Sequence, residues 1–158
     1  MRNLLNYFVY FLLFVSFFAC SKSSSGPSAA DQRGEFLNAT WSAAGSQTVI
    51  VDGVNLTTRF PNLTVTFGYT SGMNGGSFSA SGDNGVFQGV TEWRFAGEDV
   101  NSMMLSGSDY VTSTVSLSVT DNQTIIEFST ANVPDIVEVP TTSRIKGING
   151  RYRMTLNK

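Results

Sequence analysis

The chain has 158 residues, 41% of them hydrophobic and 14% charged, with a formal net charge of −2, no histidine and one cysteine. These absences exclude zinc sites built on His and Cys, catalytic dyads and triads with a His base, and any disulfide within one chain. The mildly acidic balance argues against nucleic acid, whose sequence-independent affinity comes from clustered Lys and Arg.

The first element is "MRNLLNYFVYFLLFVSFFAC". Arg2 precedes an apolar run from about Leu4 to Ala19, broken by Asn6 and Ser16. A transmembrane helix needs roughly 20 predominantly apolar residues; this run is shorter and ends on a small residue rather than a basic cluster. A charged start, roughly 7–15 apolar residues and a small-residue cleavage site describe a secretory signal peptide. The closing residues "FFAC" resemble the lipobox of bacterial lipoproteins, in which a small residue precedes an obligatory Cys. Ala19 and Cys20 match it, and Phe17 stands where that family has an aliphatic side chain. The resemblance implies cleavage before Cys20 and acylation of its thiol and new amino terminus, so that the lipid on Cys20 holds the protein on a membrane. Ser21 after the Cys points to the outer membrane. Each buried methylene contributes about 0.8 kcal/mol, and stable anchoring takes more than one chain. Without the lipobox, the same residues read as an ordinary signal peptide or an uncleaved anchor.

The expected organisation is a lipoprotein signal peptide over 1–19, a lipid-anchored flexible linker over 20–34, and one β-barrel-like domain over 35–158. The linker segment "SKSSSGPSAADQRG" is small, polar and Gly/Pro-containing, the composition of a flexible spacer.

From Glu35 the pattern changes to period-2 alternation, the signature of half-buried strands. In "FLNATWSAA", Leu37, Ala39, Trp41 and Ala43 share a face. In "LTVTFGY" Leu63, Val65, Phe67 and Tyr69 do, and in "SFSAS" Phe78 and Ala80. In "EWRFAG", Trp93 and Phe95 face in while Glu92 and Arg94 face out. Met103 and Leu105 share a face, so Met104 either points outward or sits at a bulge. Val115, Leu117 and Val119 alternate with Ser and Thr; Ile126 and Phe128 form the next inward pair. Tyr152, Met154 and Leu156 oppose Arg151, Arg153, Thr155 and Asn157. Turn signals such as "VDGVN", "SGDNG" and "TDNQT" separate these runs. No stretch after the signal peptide has a helical period long enough to predict a helix. The expected fold is all-β and antiparallel, with about eight to ten strands in a lipocalin-like barrel; the alternative is a β-sandwich.

The stretches "LNATWSAAG", "LTVTFGYTSG", "EWRFAGEDVNSMMLSG", "VSLSVTDNQTIIEFS" and "GINGRYRMTLNK" resemble, in pattern and spacing, the small lipocalin-like lipoproteins of Gram-negative bacteria. That resemblance implies an antiparallel barrel-like fold and usually no assigned activity. Lipocalins proper carry Gly-x-Trp on the first strand, where this chain has Ala39-Thr40-Trp41.

Trp41, Phe67, Trp93, Phe95, Met103, Leu117 and Phe128 all fall on inward faces. They either interdigitate as a core or line a cavity for a small apolar ligand. Arg144, Lys146, Arg151 and Arg153 follow the last acid, Glu138, and form a candidate surface patch toward anionic lipid or polysaccharide. Glu98-Asp99, Asp83-Asn84 and Asp52-Gly53 read as solvated turns rather than metal or acid–base pairs. The Pro-bounded "NVPDIVEVP" reads as a surface loop or edge strand, with a flap or partner strip as its functional alternative. Asn-x-Thr sequons at Asn38, Asn55, Asn62 and Asn122 read as chance in a chain rich in Asn and Thr.

The expected function is non-catalytic: a structural or protein-interaction module of the cell envelope, with no cofactor and no metal. A carrier of a small apolar ligand or lipid stays open beside it. An enzyme is the remaining class, and it would have to work with carboxylates, Lys, Arg, Tyr, Ser or Thr.

Overall fold

A computed structural model describes residues 26–137 and 144–158. The signal-peptide stretch, Cys20, the start of the spacer, the end of "NVPDIVEVP" and the Arg144 side chain lie outside them.

The first described element corrects the sequence reading. Residues Ala29–Leu37 form helix α1 in place of the expected linker and first strand. Ser28 caps it: its hydroxyl accepts the Asp31 amide hydrogen at 3.0 Å while the Asp31 carboxylate reaches back to the Ser28 N–H at 3.3 Å. This reciprocal capping box satisfies two donors that a helix start otherwise leaves free. The helix buries only Gly34 and Leu37. Its weak apolar stripe explains why helical periodicity was invisible.

The strands follow as β1 (Ala39–Ser42), β2 (Val49–Val51), β3 (Val54–Asn55), β4 (Thr64–Phe67), β5 (Gly75–Ser81), β6 (Glu92–Ala96), β7 (Asp99–Ser106), β8 (Val115–Val119), β9 (Gln123–Thr130), β10 (Ile136–Val137), β11 (Arg144–Ile145) and β12 (Gly150–Asn157). The main sheet runs β1-β4-β5-β6-β7-β8-β9-β12, and β12 returns to β1, so eight strands close into an antiparallel barrel. Closure removes the exposed edges of an open sheet. The barrel, and not the sandwich, is the fold.

β12 holds the closure together. One edge pairs with β9 from Gly150↔Thr130 to Asn157↔Gln123. The other edge is shared: Asn157 meets Ser42 of β1, and Met154 to Tyr152 meet Val49 to Val51 of β2. β1 and β2 thus act as one interrupted strand, paired with β4 over its first part and β12 over its second. The β2–β3 hairpin turns on Asp52 at φ 50° and Gly53 at φ 82°. Two positive φ values are what a two-residue type I′ turn requires.

The alternation places side chains as expected. Trp41, Val65, Phe67, Phe78, Trp93, Phe95, Met103, Val115, Leu117, Ile126, Phe128, Tyr152, Met154 and Leu156 are buried. Met104 points outward and is 45% exposed. Each large apolar side chain taken from water contributes about 1.5–3 kcal/mol, so this continuous core dominates the stabilisation. Outer positions carry hydroxyls and charges; Thr40 and Thr66 share a hydrogen bond at 2.9 Å, as do Thr64 and Ser81 at 2.7 Å. The "NVPDIVEVP" segment forms part of a separate two-stranded ribbon, in which Ile136 pairs with Ile145 and Val137 with Arg144.

Candidate functional site

The barrel interior is where ligand binding and core packing compete. All seven side chains singled out there are inside, each no more than 4% exposed: Trp41, Phe67, Trp93, Phe95, Met103, Leu117 and Phe128. Four of them belong to one chain of nine rings. It runs Phe60–Tyr152–Phe128–Phe87–Phe78–Phe67–Trp93, then branches to Phe95 and Tyr69. Neighbouring centroids lie 5.0–6.1 Å apart, mostly edge-to-face, with Phe128 and Tyr152 stacked at 5°. Such pairs add about 0.5–1.5 kcal/mol each beyond the area they bury. The polar handles of the large rings are used: the Trp93 indole donates to the Gly68 carbonyl at 3.1 Å, the Trp41 indole to Leu37 at 2.9 Å, and the Tyr152 hydroxyl to Ile148 at 2.7 Å.

Three of these rings, Phe60, Tyr69 and Phe87, come from loops; the alternation in the sequence places only Tyr69 facing inward, and Phe60 and Phe87 are not among the candidates. Phe87 belongs to the β5–β6 connection, which folds back over one mouth and buries Val86, Phe87 and Val90. The Asp83 carboxylate accepts the Phe87 N–H at 2.8 Å and holds that loop closed. Asp83 is therefore a structural turn residue, in line with its expected role. The sequence signal was present as the apolar "GVFQGV" between turn residues, but a turn-rich stretch does not announce an inward fold.

Helix α1 lies across the opposite mouth. The Asp31 carboxylate joins it to the β4–β5 loop: Oδ1 accepts from Gly72 N at 2.7 Å, Tyr69 hydroxyl at 2.8 Å and Ser71 hydroxyl at 3.1 Å. The Ser28 hydroxyl, with the Gly72 and Tyr69 donors, holds the Asp31 carboxyl well below the usual carboxylate range, against a smaller opposing effect of burial. Burial first, then the hydrogen bond and negative charge of Asp31, push Tyr69 up to about 12. On the other side of the helix, Arg33 donates to the Val119 carbonyl at 3.1 Å and to the Asn101 side chain at 2.9 Å. Lys158 donates to the Phe36 carbonyl at 3.2 Å, and its ammonium sits 4.8 Å from the centre of the Trp41 ring.

Grooves occur on the outer wall. One of 510 Å³ runs along Gly75–Ser77 and Glu92–Arg94, beside Met73. One of 270 Å³ lies between the helix and β7–β8, lined by Arg33, Phe36, Val100 and Val119. Two more, of 360 and 400 Å³, meet at Arg151 and Glu127.

The basic candidates whose side chains are described do not gather as a purely cationic surface. Arg151 and Arg153 share the outer face of β12, but Arg153 pairs with Glu127 at 3.7 Å, and the Asp52 carboxylate accepts the Arg151 N–H at 3.0 Å. An exposed pair of this kind contributes about 0–1 kcal/mol. Lys146 is exposed, and its carbonyl accepts from Arg59 at 3.4 Å. Glu98 and Asp99 occupy the β6–β7 turn, where Asp99 accepts the Asn101 N–H at 2.9 Å, a local turn bond. Among the described residues no cluster of three His, Cys, Asp or Glu side chains is placed to hold a metal ion. Nor is any described helix long and apolar enough to cross a membrane.

No family model, curated protein or solved structure matches this chain. The residues and the barrel must carry the functional reading.

Proposed function

We propose that the chain is a cell-envelope lipoprotein, anchored through lipid on Cys20, that works without catalysis as an interaction module. The observation that carries the non-carrier half of this reading is the nine-ring stack through the barrel, with a mouth covered at either end. An eight-stranded barrel is only just wide enough for side chains to fill, and this chain supplies aromatics from loops as well as strands to fill it. The outer wall and the loop ends are then the working surface. The anchor half rests on the apolar run ending in Ala19-Cys20 and on Ser21, which favours the outer membrane.

Two measurements test the halves separately. Cell fractionation should find the protein with membranes, and Cys20→Ser should release it or leave it unprocessed; normal membrane retention of a processed Cys20→Ser protein defeats the anchor. Titration of the protein with fatty acids or an apolar fluorescent probe, followed by Trp emission, should show no saturable binding. Micromolar saturable binding that is lost in a folded Trp93→Ala variant makes the protein a ligand carrier instead.

A further inference from the structure

Three facts converge on the helix-covered mouth. The fold begins early: Ser28 caps α1 eight positions after Cys20, and Asp31 ties that first turn to the β4–β5 loop. Eight extended residues reach at most about 28 Å. The strand β12, at eight residues, is itself about 27 Å long. A barrel turned over would need the same segment to run nearly straight along its wall, with no slack.

Second, two of the four exposed large apolar side chains among the described residues sit at this end. Phe36 is 46% exposed in the last turn of α1, on the β7–β8 side, and Met73 is 60% exposed in the β4–β5 loop, on the Asp31 side. They flank the helix. Val54, 58% exposed, lies at the opposite end beside the β2–β3 turn.

Third, the charge at this end is specific. The Asp31 carboxylate is engaged by five donors and Arg33 by two acceptors. Glu35, Glu98, Asp99 and Asp121 remain exposed around the mouth, against Lys158 and against Arg94, which lines the groove beside Met73. Such a rim is repelled by anionic headgroups over a Debye length of about 8–10 Å, so the surface that suits it is zwitterionic.

We propose that the helix-covered mouth rests on a zwitterionic lipid surface, with Phe36 and Met73 seated among the headgroups, while the β2–β3 hairpin and the β5–β6 loop face away. This assignment rests on the lipid-anchor reading and adds the orientation that reading leaves open. Exposed apolar side chains at an interface add affinity in proportion to the area they bury, and here they fix which face touches the bilayer.

The test uses the full chain, isolated with its native amino terminus and reconstituted into phosphatidylcholine vesicles. A single nitroxide is placed by Phe36→Cys, Met73→Cys or Val54→Cys, all exposed positions whose substitution leaves the core intact. Mass spectrometry of the Cys20 peptide reports acylation independently. With Cys20 acylated, collisions with oxygen should exceed those with an aqueous nickel chelate at positions 36 and 73, and the order should reverse at 54. Adding phosphatidylglycerol should move both labels toward water. An acylated protein whose labels at 36 and 73 are as aqueous as that at 54 overturns the orientation and leaves the anchor standing. Deeper seating on the anionic vesicles overturns the choice of a neutral surface, and an unmodified Cys20 overturns both readings.

Discussion

Tyr69 donates its phenolic hydrogen to Asp31 Oδ1 at 2.8 Å, across 38 positions of chain. The bond joins the only α-helix among the described residues to the sheet, and the same carboxylate completes the capping box of that helix. One side chain therefore both starts α1 and fastens it to the barrel.

Replacing Asp31 by Ala should release the helix without unfolding the barrel. Amide hydrogen exchange over residues 29–37 should accelerate markedly, while the β9 and β12 amides keep their protection. Uniform acceleration across both regions would show that helix and barrel unfold as one unit.

Gly34 faces the Tyr69 ring so closely that a Cβ there would overlap it. Helix propensity alone favours Ala over Gly by about 1 kcal/mol, whereas overpacking costs about 1–3 kcal/mol. The contact should win, because Tyr69 is held from the far side by Trp93 at 6.1 Å between ring centres. Gly34→Ala should lower the denaturant midpoint with an unchanged slope. A raised midpoint would mean the helix shifts freely on the mouth.

The alkaline limit of stability should depend on Tyr69. Its pKa is raised from 10.0 to about 12 in the fold, so the folded protein holds that proton more tightly than the unfolded chain. The resulting stabilisation is fully present below about pH 10 and is lost as pH climbs through about 12. Tyr152, pushed up by burial, acts in the same direction. Asp31 works oppositely: its depressed pKa stabilises the fold above the ordinary carboxylate range near 4, and that contribution fades only in stronger acid. Denaturation midpoints from pH 8 to about pH 12 should fall steeply in the parent and less steeply in Tyr69→Phe.

Phe87→Ala should cost about 3–5 kcal/mol, the range for a buried aromatic. It removes the link between Phe78 and Phe128, 5.2 Å from each, and uncovers a mouth. Thermal melts measure the first effect. Binding of an apolar dye by the folded variant, absent in the parent, measures the second.

The barrel was legible because its strands have one wet face, and the period of 2 survives in Val115-Ser116-Leu117-Ser118 or Tyr152-Arg153-Met154. The helix was not, since a nine-residue segment that buries Gly34 and Leu37 shows almost no apolar stripe. Its readable trace was the Ser28-x-x-Asp31 capping pattern, hidden in a stretch that looks like a linker. Leu37 was assigned to the right core but to a strand instead of the last helical position. The seven side chains expected on inward faces are buried. Phe60 and Phe87 escaped because their burial depends on loops folding inward, which no local period encodes. The mixed character of the Arg151–Arg153 face was equally hidden: Asp52 lies 99 positions from Arg151, and only the β2–β12 pairing brings them together.

The seam at β12 bears on how the protein is made. Its strand is formed by residues 150–157, far along the chain from β1 and β2, and among the described strands it alone pairs with both those early strands and β9. As the chain folds, β4 to β9 can pair with their sequence neighbours. The ring cannot shut until β12 has reached both β9 and the early strands. Folding is thus split into a fast local stage and a slow long-range one. In the interval the polypeptide presents an open sheet with bare edges and an uncovered row of aromatics. A chain without residues 150–157 stays in that interval, open to aggregation and proteolysis.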